Sequence, residues 1–493
     1  MELEYLAPRP RKIEVLKTTF ARPDWLNIEA DTPCRPAARA LRDDLIALTG
    51  LRVSPQAPFP VRLEMRPGET RPEGYRLALG KTRAEIIASD LAGLSYGAQT
   101  LLQLFVLGDP ASMPTVRITD WPEYRLRSFM VDLGRAPFSL DYLKRIVRIL
   151  ARLKMNALHL HLNDDQLCGL RFRDLPLGSE NPFAIDLDDL ADLVSYAREH
   201  HVSILPEFEC WGHAGSVIYH FPELYGAPGM WGGMSFGIGE ELFDLLGRVF
   251  RELLPALEPE CIVHTGLDEA QWATLPSVPA ARRDEYGPRE LVGRVYDTLQ
   301  QAAEECDRAV TMHLWADHGG RPLPERIEHK VVVEPWMYHE FRADDIRRRI
   351  EQYGGDGKTP FMMGAGSSSV HYAGHFGATR HWCRLARGLP NVEGVTVCLW
   401  ETNDLPGRMV TLYGGAEAAW SPESPVRKEK DTTGELIDRE VRARMRRWQA
   451  AFRDADDEAL RAESGPEVDC GVYCWGERAG SPVAPTVRFE MGG

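Results

Sequence analysis

From Arg127 onward the chain repeats one unit, a short β-rich apolar run followed by an amphipathic stretch of helical period. The runs are Ser128–Leu133, Ala157–Leu162, Ser203–Phe208, Cys261–Gly266, Ala309–Trp315, Lys330–Trp336, Pro360–Gly364 and Val395–Trp400. Near-continuous apolar runs mark strands buried on both faces, as in a parallel sheet whose crossovers are helices. Between the first two runs, Leu140, Leu143, Ile146, Val147, Leu150 and Leu153 fall on one helix face, and Ser139 stands ready as N-cap. Eight such units predict an α/β chain whose core is a (β/α)8 TIM barrel. The alternative is a doubly wound open sheet. That fold usually carries a Gly-rich phosphate loop after its first strand, and none follows Leu133.

The residues ahead of the barrel read as a small α/β accessory domain. Arg39–Leu48 has helical period, Val61–Met65 and Gly74–Leu79 alternate as strands, and Leu91–Leu104 is an apolar helix. A Pro-rich turn at Pro110–Pro114 suggests the boundary. The expected division is 1–112 for the accessory domain, 113–422 for the barrel and 423–493 for a C-terminal segment. That segment would hold a charged helix over Glu435–Glu463 and a tail over Ser481–Gly493.

The net charge of −15 argues against nucleic acid or an anionic membrane as partner. No apolar run approaches the roughly 18 residues of a membrane span. The N-terminus, Met1-Glu2-Leu3-Glu4-Tyr5, lacks a basic-then-apolar leader, so a cytoplasmic location is expected. The nine cysteines are scattered. Cys168, Cys210, Cys261 and Cys398 sit in or beside apolar runs as small hydrophobes, and Cys470 and Cys474 have no second pair that would complete a zinc site.

A TIM barrel places its chemistry at the C-terminal ends of its strands. Polar and aromatic groups gather there in this sequence. The first run ends in Asp132-Leu133-Gly134-Arg135, and the second carries His159, His161 and Asp164-Asp165. The third gives Glu207, Glu209, Trp211 and His213; the fourth gives Asp268-Glu269 and Trp272. Later runs add Trp315 and Asp317, Trp336 and Tyr338, then Trp400, Glu401 and Asp404. Tryptophan faces stack on the C–H faces of a sugar ring, and planar charged groups pair with its hydroxyls. Asp268 and Glu269 have a further property. Two carboxylates held together do not both ionise easily, so one can serve as a general acid near neutral pH. His159 and His161, two apart on a strand, share a face and could be either metal ligands or a hydrogen-bonded structural pair.

Four ordered motifs make the chain resemble glycoside hydrolase family 20, the β-N-acetylhexosaminidases. They are Asp132-Leu133-Gly134-Arg135, Lys154–Gln166 (KMNALHLHLNDDQ), Leu205–His213 (LPEFECWGH) with Phe221-Pro222-Glu223-Leu224, and His264–Glu269 (HTGLDE). Glu73–Leu77 and Gly93–Leu101 resemble that family's accessory domain. The resemblance implies retaining, substrate-assisted hydrolysis of terminal β-linked N-acetylglucosamine or N-acetylgalactosamine, with the sugar's own acetamido oxygen as nucleophile. Asp268 would orient the acetamide and Glu269 would be the acid and base. Arg135, Asp164, His213 and Glu401 would bind or support the sugar, with Trp315, Trp336 and Trp400 as walls. No metal and no cofactor are expected. The expected partner is a glycan or glycoconjugate ending in N-acetylhexosamine, and a homodimer is allowed.

The sequence departs from the family pattern in three places. Leu267 stands where the family usually has glycine. The acetamide-binding tyrosine and the hydroxyl-binding acid have no clean match in Gly364–Ser369, which makes Tyr338 the candidate tyrosine with Tyr372 behind it. The eighth run ends Trp400-Glu401-Thr402, so Glu401 and Asp404 compete for the last acidic role. Two other readings stand beside the first. One is a metal-dependent amidohydrolase built on His159 and His161; the other is a non-catalytic sugar-binding homologue.

Overall fold

A computed structural model describes residues 3–229, 233–270, 288–316, 323–368, 376–422 and 434–463. Eight parallel strands close into a barrel in strict chain order. They are Leu126–Asp132, Ala157–His161, Ser203–Glu207, Glu260–His264, Ala309–Trp315, Val331–Glu334, Phe361–Ser368 and Val392–Trp400, each within a few residues of a run read from the sequence. Closure rules out the open-sheet alternative. The expected first barrel helix is Leu140–Arg152, and Ser139 caps it by accepting the Tyr142 N–H at 3.1 Å.

Strand register fixes what meets inside the barrel. Asp132 pairs with His161, His161 with Glu207, Glu207 with His264, and His264 with His313. Paired residues point the same way, so these five groups form one polar layer near the C-terminal rim.

The small domain is a seven-stranded mixed sheet with helices Arg35–Thr49 and Leu91–Leu107. Its strand Met113–Asp120 pairs with Lys12–Phe20 on one side and Tyr75–Leu79 on the other. The boundary expected at residue 112 therefore lies one strand too early. The Pro-rich stretch is a turn within this domain, and Pro114 is tolerated near its strand's start. A buried polar joint welds this sheet to the barrel. Lys154 Nζ meets Asp120 Oδ2 at 3.0 Å and the Tyr75 hydroxyl at 2.9 Å, while Trp420 Nε1 donates to Asp120 Oδ1 at 2.9 Å. A buried lysine is tolerated only when paired in this way.

The C-terminal helix expected over Glu435–Glu463 is two helices, Gly434–Ala451 and Asp457–Glu463, joined by a short turn at Arg453–Ala455. That turn lets Asp454 accept from Arg148 at 2.9 Å and Arg152 at 2.6 Å, which ties the segment to the first barrel helix. The described cysteines are all free thiols, and no described helix is long and apolar enough to cross a membrane. Cys470, Cys474 and the tail Ser481–Gly493 lie outside the described residues.

Candidate active site

Glu207, fully buried at the end of the third strand, organises the layer beneath the rim. Its Oε2 meets His159 Nε2 at 2.9 Å and His161 Nδ1 at 2.8 Å. Its Oε1 meets His264 Nδ1 at 3.1 Å and accepts from Trp315 Nε1 at 2.5 Å. Burial alone would neutralise this acid. The surrounding His161, His264 and His159 outweigh burial and hold its pKa well below the ordinary carboxylate range. His159 and His161 thus each turn one nitrogen toward the same carboxylate, while the other nitrogen of His161, Nε2, meets Asp164 nearer the rim.

Above this layer lies a ladder of alternating charge. His161 Nε2 meets Asp164 Oδ2 at 2.9 Å, and Asp164 in turn meets the Arg135 guanidinium at 2.5 Å and His213 Nδ1 at 3.3 Å. Burial opposes the charged form of His161, yet Glu207 and Asp164 lift its pKa to about 10. Burial likewise opposes charge on His213, but Asp164 and Asp268 raise its pKa well above the usual histidine value. His213 is therefore an imidazolium at neutral pH. Its Nε2 faces the two adjacent carboxylates, 3.8 Å from Asp268 Oδ2 and 3.4 Å from Glu269 Oε2. Asp268 is pushed up by burial and by the charges of Glu269 and Glu207, against the pull of His213.

Arg135 also donates to Asp132 Oδ2 at 3.0 Å, an oxygen that accepts the Glu401 N–H at 3.0 Å. Asp132 and Asp164 thus aim the guanidinium, which lies 5.5 Å from the Trp400 ring. Trp400, Trp315, Trp336 and Tyr338 gather in one cluster. Trp400 Nε1 donates to the Tyr338 hydroxyl at 2.9 Å, Trp336 stacks on Tyr338 at 5.4 Å, and the Trp315 and Trp400 rings lie 5.9 Å apart. Arg135→Lys is expected to keep the charge facing Asp132 and Asp164 but lose the planar fork. Affinity for N-acetylglucosamine should fall about tenfold or more, read by calorimetry. Unchanged affinity would remove Arg135 from the site.

Several sequence readings are refined here. Asp165 does not reach toward a ligand: its Oδ1 accepts the N–H groups of Gly215 and Met234, fixing two rim segments. Asp404 caps the last barrel helix, Leu405–Trp420, by accepting from Gly407. Glu401 remains near Arg135, with φ +64°. Sequence reasoning missed Glu207 and Glu209 as organisers; the available signal was two carboxylates at i and i+2 on one strand end. Trp272, Asp317 and Tyr372 lie outside the described residues.

Leu267 has φ +73°, in the left-handed region where glycine is at ease, and it is 1% exposed. Left-handed strain costs a leucine roughly 1–2 kcal/mol. Deleting a buried leucine side chain costs about 2–5 kcal/mol. Packing therefore wins, and Leu267→Gly is expected to destabilise the protein by about 1–3 kcal/mol, read as a lower urea midpoint. A raised midpoint would mean that strain dominates.

A closed parallel barrel with a small α/β domain, and a rim of paired carboxylates, arginine and tryptophans, defines a glycoside-hydrolase type of TIM barrel. The comparisons make the class specific. Residues 124–352 match the family model for the glycosyl hydrolase family 20 catalytic domain, and residues 4–121 match that for family 20 domain 2. The chain belongs to glycosyl hydrolase family 20. It is 24% identical over 384 residues to a beta-hexosaminidase of Vibrio furnissii, covering 70% of this chain and 62% of that protein. It is 32% identical over 309 residues to a beta-N-acetylhexosaminidase of Cellulomonas fimi, covering 57% of each. The chain thus spans less than two thirds of either relative. Among solved structures, Flavobacterium johnsoniae chitobiase superposes with TM-score 0.74 at 19% identity, covering 93% of this chain and 75% of that one. A family 20 beta-N-acetylhexosaminidase from Streptomyces coelicolor gives 0.69 at 23% identity, covering 92% and 97%. At these identities the structures speak to the fold.

Proposed function

We propose that the protein is a retaining exo-β-N-acetylhexosaminidase that removes terminal β-linked N-acetylglucosamine or N-acetylgalactosamine by substrate-assisted catalysis. The observation that carries this reading is one buried histidine, His213, whose Nε2 lies 3.8 Å from Asp268 Oδ2 and 3.4 Å from Glu269 Oε2 just beyond the fourth strand. The names of the Vibrio furnissii and Cellulomonas fimi relatives agree with it.

In this mechanism the substrate's acetamido oxygen attacks the anomeric carbon as the glycosidic C–O bond breaks. Glu269 gives its proton to the departing oxygen. Asp268 accepts the acetamide N–H, aligns the nucleophilic oxygen and offsets the positive charge of the oxazolinium intermediate. Water then attacks the anomeric carbon from the face the leaving group vacated, breaking its bond to the acetamido oxygen and restoring the acetamide, while Glu269 takes the water's proton. Two inversions give net retention. In this reading Arg135 holds hydroxyls of the terminal sugar, Trp400, Trp315 and Trp336 enclose the ring and acetamide, and Tyr338 donates to the acetamide oxygen.

Aryl β-glycosides of N-acetylglucosamine, N-acetylgalactosamine and unsubstituted glucose test the reading. The first two should be cleaved and the glucoside left intact, because it lacks the nucleophile. Comparable cleavage of the glucoside would overturn the reading.

A further inference from the structure

The three tryptophans gathered at the rim stand on strands that share one buried anchor. Glu334, the last residue of the sixth strand, is fully buried two positions before Trp336. Its Oε1 meets His313 Nδ1 at 2.7 Å, and its Oε2 accepts from Thr396 Oγ1 at 3.0 Å. His313 lies two residues before Trp315 on the fifth strand, and Thr396 lies four before Trp400 on the eighth. Residues two or four apart on a strand share a face. Each anchor group therefore sits on the same face as its tryptophan, one or two steps deeper in the barrel.

The seventh strand adds no side chain here. Its Gly364 is the register partner of both Thr396 and Trp336. A β-carbon on it would lie 2.8 Å from Trp336 Cβ and 3.3 Å from Trp315 Cζ3. The tryptophans thus close over bare backbone, and the bonds of Glu334 join the fifth, sixth and eighth strands around it. Burial opposes the charge of Glu334, yet the bond to His313 and the nearby His264 hold its pKa below the ordinary carboxylate range. Removing this acid would leave His313 and Thr396 buried without their partner, which is costly.

We propose that Glu334 is a positioning residue for the N-acyl pocket: by joining His313 and Thr396 it fixes the spacing of Trp315, Trp336 and Trp400. That spacing sets how large an N-acyl group the site admits. It also matters for rate, because the acetamido oxygen attacks only from a close and aligned position. The inference rests on the hexosaminidase reading.

The test compares Glu334→Gln, Glu334→Leu and Thr396→Val with wild type on aryl β-glucosaminides carrying N-acetyl, N-propionyl or N-butyryl groups. A closed apolar pocket separates ligands differing by one methylene about tenfold or more, so wild type should decline steeply along the series. Glutamine has the same length and can meet both partners. Glu334→Gln should keep kcat/KM on the N-acetyl substrate within about threefold and keep the decline. Glu334→Leu makes neither bond. It should lose about tenfold in kcat/KM on the N-acetyl substrate, and as much in affinity for a thiazoline mimic of the cyclised intermediate. Its N-propionyl cleavage should stay level, so the discrimination shrinks about tenfold. Thr396→Val removes one bond and should relax the discrimination part-way. A uniform loss across the three substrates, equal losses in the glutamine and leucine variants, or an unchanged decline in Glu334→Leu would overturn the proposal. If the leucine variant fails to fold, the decline measured with Thr396→Val decides alone. A wild-type protein inactive on the N-acetyl substrate would instead overturn the underlying reading.

Discussion

Glu269→Gln is expected to lose roughly 10²–10⁴ in rate on substrates with alkyl leaving groups, and far less on an activated aryl glycoside. An alkoxide does not depart unprotonated, whereas a nitrophenolate needs little help. Glutamine keeps the size and the polar contact with His213, which stands 3.4 Å from Glu269 Oε2, so the fold should tolerate it. The measurement is kcat/KM across leaving groups of graded acidity. The variant should show a steep dependence where wild type is shallow. A uniform loss across the series would mean that Glu269 is not the acid.

Asp268→Asn should show the opposite pattern, a large loss that ignores the leaving group. Asparagine can still meet an amide, but it lacks the charge that offsets the oxazolinium ion. Loss of one well-placed electrostatic partner in a site shielded from water costs about 10²–10³ in kcat. The partners here make the effect sharper. His213, raised well above the usual histidine pKa by Asp164 and Asp268, would keep its positive charge beside a neutral side chain. That cation, still paired with Asp164 but no longer balanced by Asp268, would disfavour the cationic intermediate. Binding of the thiazoline mimic should fall far more than binding of N-acetylglucosamine, because the deficit lies in the transition state. Equal weakening of both ligands would assign Asp268 to ground-state binding alone.

The barrel was legible because its strands are mostly buried toward their C-terminal ends and so read as near-continuous apolar runs. The rim was legible because strand ends collect polar residues that a barrel core would not tolerate. What could not be read depends on contacts distant in sequence. The strand Met113–Asp120 sits behind a Pro-rich turn that resembles a linker, and only its partners, Lys12–Phe20 and Tyr75–Leu79, reveal its domain. The break after Ala451 carries no proline or glycine; its cause is Asp454 reaching Arg148 and Arg152, some 300 positions away. Glu207 gains its role from strand register, which sets it between His161 and His264. Leu267 was visible as a departure, but its positive φ and its bond to Glu209 were not.

The central claim is that the nucleophile belongs to the substrate. It is tested most directly by a series of aryl β-glucosaminides whose 2-acetamido group carries zero, one, two or three fluorines. Fluorine withdraws electrons from the amide oxygen without altering the leaving group or the contacts of Arg135. If that oxygen attacks the anomeric carbon, kcat should fall steeply and monotonically along the series. A flat series would contradict the account and move the nucleophile onto the protein.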